Sequence, residues 1–304
     1  MGCFRVEESG CHPTDRRGRL TRVTRAFRLL NVFARPGEPF SGNPLAVIED
    51  DGGLDTETCQ ALARQFNLSE TTVVSPGEPG TDARVRIFTP TIELGFAGHP
   101  TLGTAAVVAG RAGLDHVVLG MRAGPIPVRF DEGRWTLTAN PAQVTTAALE
   151  VGDLAAMLGV HPEEVAGPAV WADSGLRQLL VELRTGDAVR RARPDAPLLR
   201  RLAMTDSGEA LVYAWAWTGP DTVEARLFFS EHTAVVEDPA TGSACANLGG
   251  LWAHEGRRGL RVVVSQGAAV DRPSLLHVEV DTDAVVRVGG LVREVGRGLI
   301  SVGA

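Results

Sequence analysis

The chain has 304 residues, of which 44% are hydrophobic and 22% charged, and its net charge at pH 7 is −7. This length and composition predict a globular protein with one large domain or two of ordinary size. The acidic balance argues against general binding to nucleic acids or anionic membranes, and no run of about 18 apolar residues is present to span a bilayer. We therefore expect a cytoplasmic protein that binds neither nucleic acid nor membrane.

Residues 1–25 are predicted to form a disordered, Arg-rich tail. The segment has little apolar periodicity and lacks the apolar core of a signal peptide. Arginines are concentrated towards and just past its end, at Arg16, Arg17, Arg19, Arg22, Arg25 and Arg28. A basic arm for nucleic acid is the alternative interpretation, which deletion of residues 1–25 would test.

The four cysteines have no spacing typical of a metal site. Two fall in the predicted tail and two are far apart in the chain: Cys3, Cys11, Cys59 and Cys245. Reduced, unpaired thiols are expected in a cytosolic protein. The sequence predicts no metal and no cofactor.

The ordered part of the chain is predicted to begin with a strand over residues 26–33, rich in apolar and β-branched residues. A helix with one apolar face follows over 55–66. The turn Gly98-His99-Pro100 then leads into a helix over 101–112 that is apolar on all sides, which predicts a position in the middle of a domain. Further strands are predicted at 45–48, 70–74, 83–88, 117–121, 126–130 and 135–139.

A second series of elements repeats this order. The turn Thr241-Gly242-Ser243 opens a second apolar helix over 244–254, and a shorter helix is predicted at 154–158. Strands are predicted at 170–172, 178–183, 210–217, 224–229, 260–265, 275–280, 285–288 and 298–302.

This repetition predicts an α+β fold of two pseudo-symmetric halves, each a barrel-like, mostly antiparallel sheet wrapped around a central apolar helix. The first half would span 26–142 and be completed by a C-terminal strand within 291–304. The second half would span 143–290.

The two glycine turns are the first candidates for a site. Glycine lets the backbone approach a ligand closely, and the first N–H groups of a helix attract an anion together with the helix dipole. One such turn is often an ordinary helix cap. Two turns in equivalent positions, at Gly98 and Gly242, favour a site for a carboxylate between the halves.

Four polar residues near these turns are candidates for acid–base chemistry. Glu70 is either a solvated carboxylate or a half-buried acid with a raised pKa. His99 is either structural or, at a helix N-terminus, a neutral ring that donates to a substrate oxygen. Asp238 is either a turn residue before Pro239 or a site residue, and Ser243 opens the second helix.

Several segments closely resemble the PhzF-like phenazine-biosynthesis family. They run in the order of the family from about residue 26 to the C-terminus, with Gln266-Gly267 among the weaker matches. The strong matches are Phe40-Ser41-Gly42-Asn43-Pro44-Leu45-Ala46-Val47, Asn67-Leu68-Ser69-Glu70-Thr71, Arg86-Ile87-Phe88-Thr89-Pro90, Glu93 to Thr104 and Glu237-Asp238-Pro239-Ala240-Thr241-Gly242-Ser243-Ala244.

The resemblance implies a diaminopimelate-epimerase-like fold with the site in a cleft between its two halves. In the phenazine enzyme, the residue that matches Glu70 moves a proton within a dihydro-hydroxyanthranilate. The resemblance assigns catalytic positions to Glu70, His99, Asp238 and Ser243 and substrate contacts to Asn43, Ser69, Gly98, Thr241 and Gly242. It also implies a homodimer.

The same fold hosts racemases that use one cysteine at each glycine turn. Here those places are taken by Ala97 and Thr241, and Cys245 lies three residues beyond Gly242. We therefore expect a cofactor-free isomerase that moves a proton within a small, carboxylate-bearing cyclic or unsaturated substrate. The alternatives are an amino- or hydroxy-acid epimerase or racemase and a non-catalytic protein that binds a small acid.

Overall fold

A computed structural model of the chain describes residues 23–50, 52–231 and 233–302. Most of the predicted tail, with Cys3 and Cys11, lies outside the described residues. The first strand, β1, begins at Thr24, two residues before the predicted start. No helix within the described ranges is long and apolar enough to cross a membrane.

Strands dominate the described part of the chain. Eighteen are present: β1 (Thr24–Val32), β2 (Asn43–Glu49), β3 (Glu70–Pro76), β4 (Ala83–Phe88), β5 (Glu93–Leu94), β6 (His116–Met121), β7 (Gly124–Asp131), β8 (Arg134–Thr138), β9 (Gln143–Thr146), β10 (Val170–Asp173), β11 (Arg177–Glu182), β12 (Leu211–Trp217), β13 (Thr222–Glu231), β14 (Ala234–Asp238), β15 (Leu260–Gln266), β16 (Ser274–Val280), β17 (Val286–Gly290) and β18 (Val292–Ser301). The same ranges contain six α-helices: α1 (Thr56–Phe66), α2 (Gly98–Ala112), α3 (Val151–Leu158), α4 (Gly186–Arg191), α5 (Ala196–Leu202) and α6 (Gly242–His254).

All of these strands belong to one hydrogen-bonded network, in which most neighbours are antiparallel. β2 and β3 are parallel, β3 and β4 are antiparallel, and β4 pairs with β5 and with the parallel β6, which leads through β7 to β8. β11–β17 pair in the same order and with the same directions. β8 and β17 join the two series.

The two long apolar helices lie against these strands. α2 packs on β1, β2, β3, β6 and β8, and α6 packs on β9, β10, β16 and β17. Small residues allow the close approach, since the side chain of Leu45 lies where a Cβ on Gly103 would stand. Trp252 of α6 is fully buried. Most residues of both helices are buried.

The helices begin earlier than predicted. Gly98-His99-Pro100 is the first turn of α2, and Gly242 is the first residue of α6. Glycine and proline are poor residues inside a helix, but they fit its first positions, where the N–H groups have no partner within the helix. The predicted glycine turns are therefore the helix N-termini themselves.

Several elements were not predicted. β9, β14, α4 and α5 fall in stretches without a clear apolar period, and β18 begins at Val292 rather than at 298. Side-chain caps start the two short helices, with Thr185 accepting from Ala188 N and Asp195 from Leu198 N. β18 contains glycines that weaken a strand pattern, and its pairing with β1 stabilises it.

A tight bend before β2 fixes the position of Asn43. Gly42 has φ +85°, and its N–H donates to the Pro273 carbonyl at 3.0 Å. A Cβ at this position would lie 2.6 Å from the Val32 carbonyl oxygen. Only glycine combines this backbone conformation with this contact.

We expect Gly42→Ala to lower the free energy of unfolding by about 2–4 kcal/mol, because strain at positive φ adds to the overlap with the backbone. Gly37→Ala is the matched control, since Gly37 has φ +81° and open space around its Cβ position. It should cost only about 1 kcal/mol. Urea denaturation measures both, and equal losses would contradict the role of the contact.

Candidate active site

The N-termini of α2 and α6 meet at two glycines. A Cβ built on Gly98 would lie 3.7 Å from Gly242 Cα and 3.9 Å from Ser243 N. The N-cap residues, Ala97 and Thr241, make no side-chain cap to either helix. Two uncapped helix starts therefore present N–H groups and positive dipole ends at one place, which is suited to an anion.

Glu70 and His99 form a buried pair beside these helix starts. Glu70 opens β3, His99 is the second residue of α2, and Glu70 Oε2 lies 3.4 Å from His99 Nδ1. The two side chains are 17% and 5% exposed. Glu70 Oε2 and His99 Nε2 are buried, and neither has a hydrogen-bond partner among the described residues. Such atoms are costly in a folded protein, so their presence favours a ligand-binding role.

Burial shifts both groups towards their neutral forms. It raises the pKa of Glu70 to about 7, against a weaker opposing effect of the Ser69 hydroxyl. It lowers the pKa of His99 to about 4, although the charge of Asp238 and the Pro44 carbonyl act in the opposite direction. Near neutral pH, Glu70 can therefore both take and return a proton, and His99 is uncharged.

Asp238 lies at the end of β14 with both carboxylate oxygens bonded. Asn43 Nδ2 donates to Oδ1 at 3.0 Å, and the Thr241 hydroxyl donates to Oδ2. Burial and the charge of Glu70 raise the pKa of Asp238 to about 6. Ser69 Oγ donates to Asn43 Oδ1 at 3.0 Å, so four of the predicted site residues form one network with Asp238 at its centre.

Gln266 is a further member of this network that was not predicted as a site residue. Its Nε2 donates to the Asp238 carbonyl at 2.9 Å and to Thr241 Oγ1 at 3.0 Å, and its Oε1 accepts from Thr241 N at 3.3 Å. The Gln266-Gly267 match was the available signal. An amide at the end of a strand does not reveal its distant partners.

The buried ion pair of Arg226 and Glu237 anchors β14. The guanidinium donates to both carboxylate oxygens of Glu237, the residue before Asp238. It also donates to carbonyls at the end of α4, including Ala192 O at 2.8 Å. Both side chains are 7% exposed. This pairing fixes the strand that carries Asp238.

Ser243 stands at the second helix start, where its hydroxyl accepts a hydrogen bond from Gln178 Nε2 at 3.1 Å. Gln178, like Asn247 behind it, was not predicted as a site residue. The structure thus brings Gly98, Gly242 and Ser243 together, and it places Glu70 against His99 and Asn43 against Asp238.

The described thiols do not lie at the helix starts. Ala97 and Thr241 occupy the two N-cap positions, as expected. Cys245 is buried within α6 next to Tyr213, and burial raises its pKa to about 12. Cys59 is buried in α1. Neither is placed to act as a base at these turns, and Cys3 and Cys11 lie outside the described ranges.

Comparison with known proteins identifies similar chains over nearly the whole length. A sequence profile of the family described as phenazine biosynthesis-like protein, PhzC-PhzF, matches residues 30–295. An uncharacterized isomerase from Pasteurella multocida is 35% identical, covering 91% of this chain and 94% of that protein. The trans-2,3-dihydro-3-hydroxyanthranilate isomerase of Pseudomonas aeruginosa is 33% identical, covering 84% and 90%.

A solved structure has the same fold. It is that of a protein described as a predicted epimerase from Pseudomonas aeruginosa, with a TM-score of 0.74 and 30% identity. The match covers 91% of this chain and 99% of that one.

We expect Glu70→Gln to stabilise the protein at alkaline pH. A carboxyl whose pKa rises from 4.5 to about 7 on folding binds its proton more tightly in the folded state, so the free energy of unfolding falls as pH rises through this window. The glutamine has no carboxyl to ionise, so the variant does not lose stability in this way. The free energy of unfolding of the variant, relative to the wild type, should increase by roughly 3 kcal/mol between pH 4.5 and about pH 8.

Urea denaturation across this pH range measures the difference. Glu78→Gln, at an exposed position after β3, is the control and should show no such growth. A constant difference for Glu70→Gln would contradict the burial of an acid with a raised pKa.

Proposed function

Since this chain belongs to the phenazine biosynthesis-like (PhzC-PhzF) family and is an isomerase, we propose that it moves a proton within a small carboxylate-bearing cyclic or unsaturated substrate, with Glu70 as the acid–base group and no cofactor. One observation carries this proposal. The buried carboxyl of Glu70 has an oxygen without a hydrogen-bond partner and lies against His99 at the meeting point of two uncapped helix starts.

The proposal treats the two series of strands as equivalent halves. The first comprises 26–142 with the C-terminal strand of 291–304, and the second comprises 143–290. The recurrent pairing order of β2–β8 and β11–β17 supports this division, as does the place of α2 and α6 between the corresponding strands of each series. The site then lies where the central helices of the two halves begin.

The reaction begins with the substrate carboxylate at the N–H groups of Gly98, Gly242 and Ser243. Ionised Glu70 takes a proton from a carbon next to an unsaturated bond or carbonyl, and the electron pair of that C–H bond moves into the conjugated system. Protonated Glu70 then gives the same proton to another carbon, so the double bond shifts and no other reactant is consumed. A pKa near 7 suits both steps.

The other polar residues hold the substrate. Asp238 accepts a hydrogen bond from an amine or hydroxyl group, since its own donors are neutral side chains. His99 is uncharged, and its buried Nε2 is available to a substrate oxygen. Fixed dipoles and donors of this kind stabilise the charge that develops as the proton leaves carbon.

The first compound to test is trans-2,3-dihydro-3-hydroxyanthranilate. It is the substrate named for the Pseudomonas aeruginosa relative, and it combines a carboxylate, an amine and a hydroxyl on a partly unsaturated ring. These groups match the donors at the helix starts and the acceptor at Asp238.

An amino- or hydroxy-acid epimerase is the second candidate. Two observations favour it: Asp238 is a second buried carboxyl electrostatically coupled to Glu70, and a related structure is described as an epimerase. Deuterium uptake with inversion at one carbon indicates epimerisation, whereas transfer between two carbons indicates isomerisation of a double bond. Binding of a small acid without exchange would indicate a non-catalytic role. The homodimer stays a prediction.

Glu70→Gln should lower kcat for trans-2,3-dihydro-3-hydroxyanthranilate by about 10²–10⁴, the usual contribution of a positioned acid–base group. The amide keeps the shape of the side chain and cannot carry the proton. Turnover is followed by absorbance and by NMR in deuterated solvent. Glu78→Gln should retain wild-type activity. Undiminished turnover of Glu70→Gln would remove Glu70 from the mechanism.

The value of kcat/KM should rise with pH through an apparent pKa of about 7 and level off above it, because the ionised form of Glu70 removes the proton. Interaction with Asp238 makes the apparent values a property of the pair. Initial rates from about pH 5 to 9 give the profile. A flat profile, or one unchanged in Glu70→Gln, would contradict the assignment.

A further inference from the structure

A row of hydrogen bonds leads from a backbone loop to the Ser243 hydroxyl. Asn247 Oδ1 accepts from Ser174 N at 2.8 Å, and Asn247 Nδ2 donates to Leu176 O and to Gln178 Oε1, both at 2.8 Å. Gln178 Nε2 then donates to Ser243 Oγ at 3.1 Å. The row lies behind the start of α6.

Backbone groups fix the orientation of Asn247. A backbone N–H only donates and a backbone carbonyl only accepts, so the amide oxygen of Asn247 must face Ser174 and its NH₂ group must face Leu176. The reverse orientation would place oxygen against oxygen and nitrogen against nitrogen. Asn247 is fully buried, so water does not compensate for a reversal.

The orientation of Gln178 follows from that of Asn247. The NH₂ group of Asn247 requires an acceptor, which is Gln178 Oε1, and the NH₂ group of Gln178 therefore faces Ser243. Gln178 is also fully buried. The backbone groups of the loop therefore determine, through the amides of Asn247 and Gln178, that the Ser243 hydroxyl faces a hydrogen-bond donor.

The geometry points to Gln178 and Asn247 as positioning residues that make the Ser243 hydroxyl a dedicated hydrogen-bond donor to the substrate. Ser243 Oγ accepts from Gln178, so its single proton must be donated in another direction. Ser243 is only half-buried and lies at the contact of the two helix starts. This corner of the site then offers a proton to an acceptor, a carboxylate or carbonyl oxygen, which it favours over an ammonium group.

A similar device sets the opposite polarity at Asp238. Gln266 is oriented by Thr241 N and by the Asp238 carbonyl, so its NH₂ group donates to Thr241 Oγ1. The Thr241 hydroxyl then donates to the Asp238 carboxylate. One corner of the site is a fixed donor and the other a fixed acceptor. The inference rests on the proposed function, and it specifies which end of an amino or hydroxy acid lies at Ser243 and which lies at Asp238.

Gln178→Glu replaces the hydrogen-bond donor that faces Ser243 with an acceptor and does not change the length of the side chain. One carboxylate oxygen still accepts from Asn247, and the other meets Ser243 with an acceptor in place of a donor. The Ser243 hydroxyl then donates to this carboxylate and no longer to the substrate. We expect kcat/KM for trans-2,3-dihydro-3-hydroxyanthranilate to fall roughly 10- to 100-fold, mainly through KM.

A double-mutant cycle separates this role from a structural one. Once Ser243→Ala has removed the hydroxyl, adding Gln178→Glu should change kcat/KM by less than about twofold. If the fold-losses in kcat/KM of the two single variants multiply in the double variant, the proposal is overturned. Gln178→Met, which removes the donor without adding an acceptor, should lose less than Gln178→Glu. If thermal unfolding shows that Gln178→Glu does not fold, the cycle is run with Gln178→Met.

A crystal structure of ligand-free Gln178→Glu tests the polarity without substrate. A hydroxyl that donates to a carboxylate should shorten the 3.1 Å contact to about 2.5–2.7 Å. A carboxylate turned away from Ser243 would overturn the inference. If the wild-type protein neither isomerises the test compound nor exchanges its protons, the proposed function fails, and this distance still decides the polarity. If this variant does not fold, side-chain amide NMR of the wild type and Ser243→Ala replaces the crystal. Gln178 NH₂ signals that Ser243→Ala leaves unchanged would then overturn the inference.

Discussion

The contact between Gly98 and Gly242 is the constraint on which the rest of the site depends. With no side chain on either residue, two helices from distant parts of the chain begin so close together that a Cβ on Gly98 would lie only 3.7 Å from Gly242 Cα. The first N–H groups of both helices therefore lie near one another, and His99 and Ser243 are the residues one position further on. A Cβ on Gly98 would touch Gly242 and Ser243 at 3.7–3.9 Å, so a larger side chain would occupy the space between the two helix starts.

The two acids of the site differ from ordinary surface carboxylates because burial raises the pKa of both. Glu70 is desolvated and has no fixed donor on Oε2, whereas Asp238 receives two hydrogen bonds from side chains that are themselves anchored. In the proposed function the first acid exchanges the proton, and the second is held as a hydrogen-bond acceptor. Burial of the Glu70 carboxyl lowers the free energy of unfolding, which is a common cost of a functional site.

Sequence patterns located the two long apolar helices and the polar residues near their starts, because apolar periodicity and glycine placement are local properties. Sequence patterns did not identify the residues that orient the site. Gln178, Asn247 and Gln266 have partners up to 73 residues away, and nothing in their own neighbourhoods indicates those partners. The early part of each helix was missed since glycine and proline suggest a turn when their position at a helix N-terminus is not known.

The pairing of β1 with β18 has a consequence for the order of folding. β1 lies between β2 and β18, and the residues that pair at its start, Thr24 and Ser301, are nearly the whole chain apart. During synthesis, β1 acquires this neighbour only after β18, a strand of ten residues, has left the ribosome. Contacts of such high sequence separation close slowly. One edge of β1 therefore stays unpaired until the carboxyl-terminal part of the chain has been synthesised.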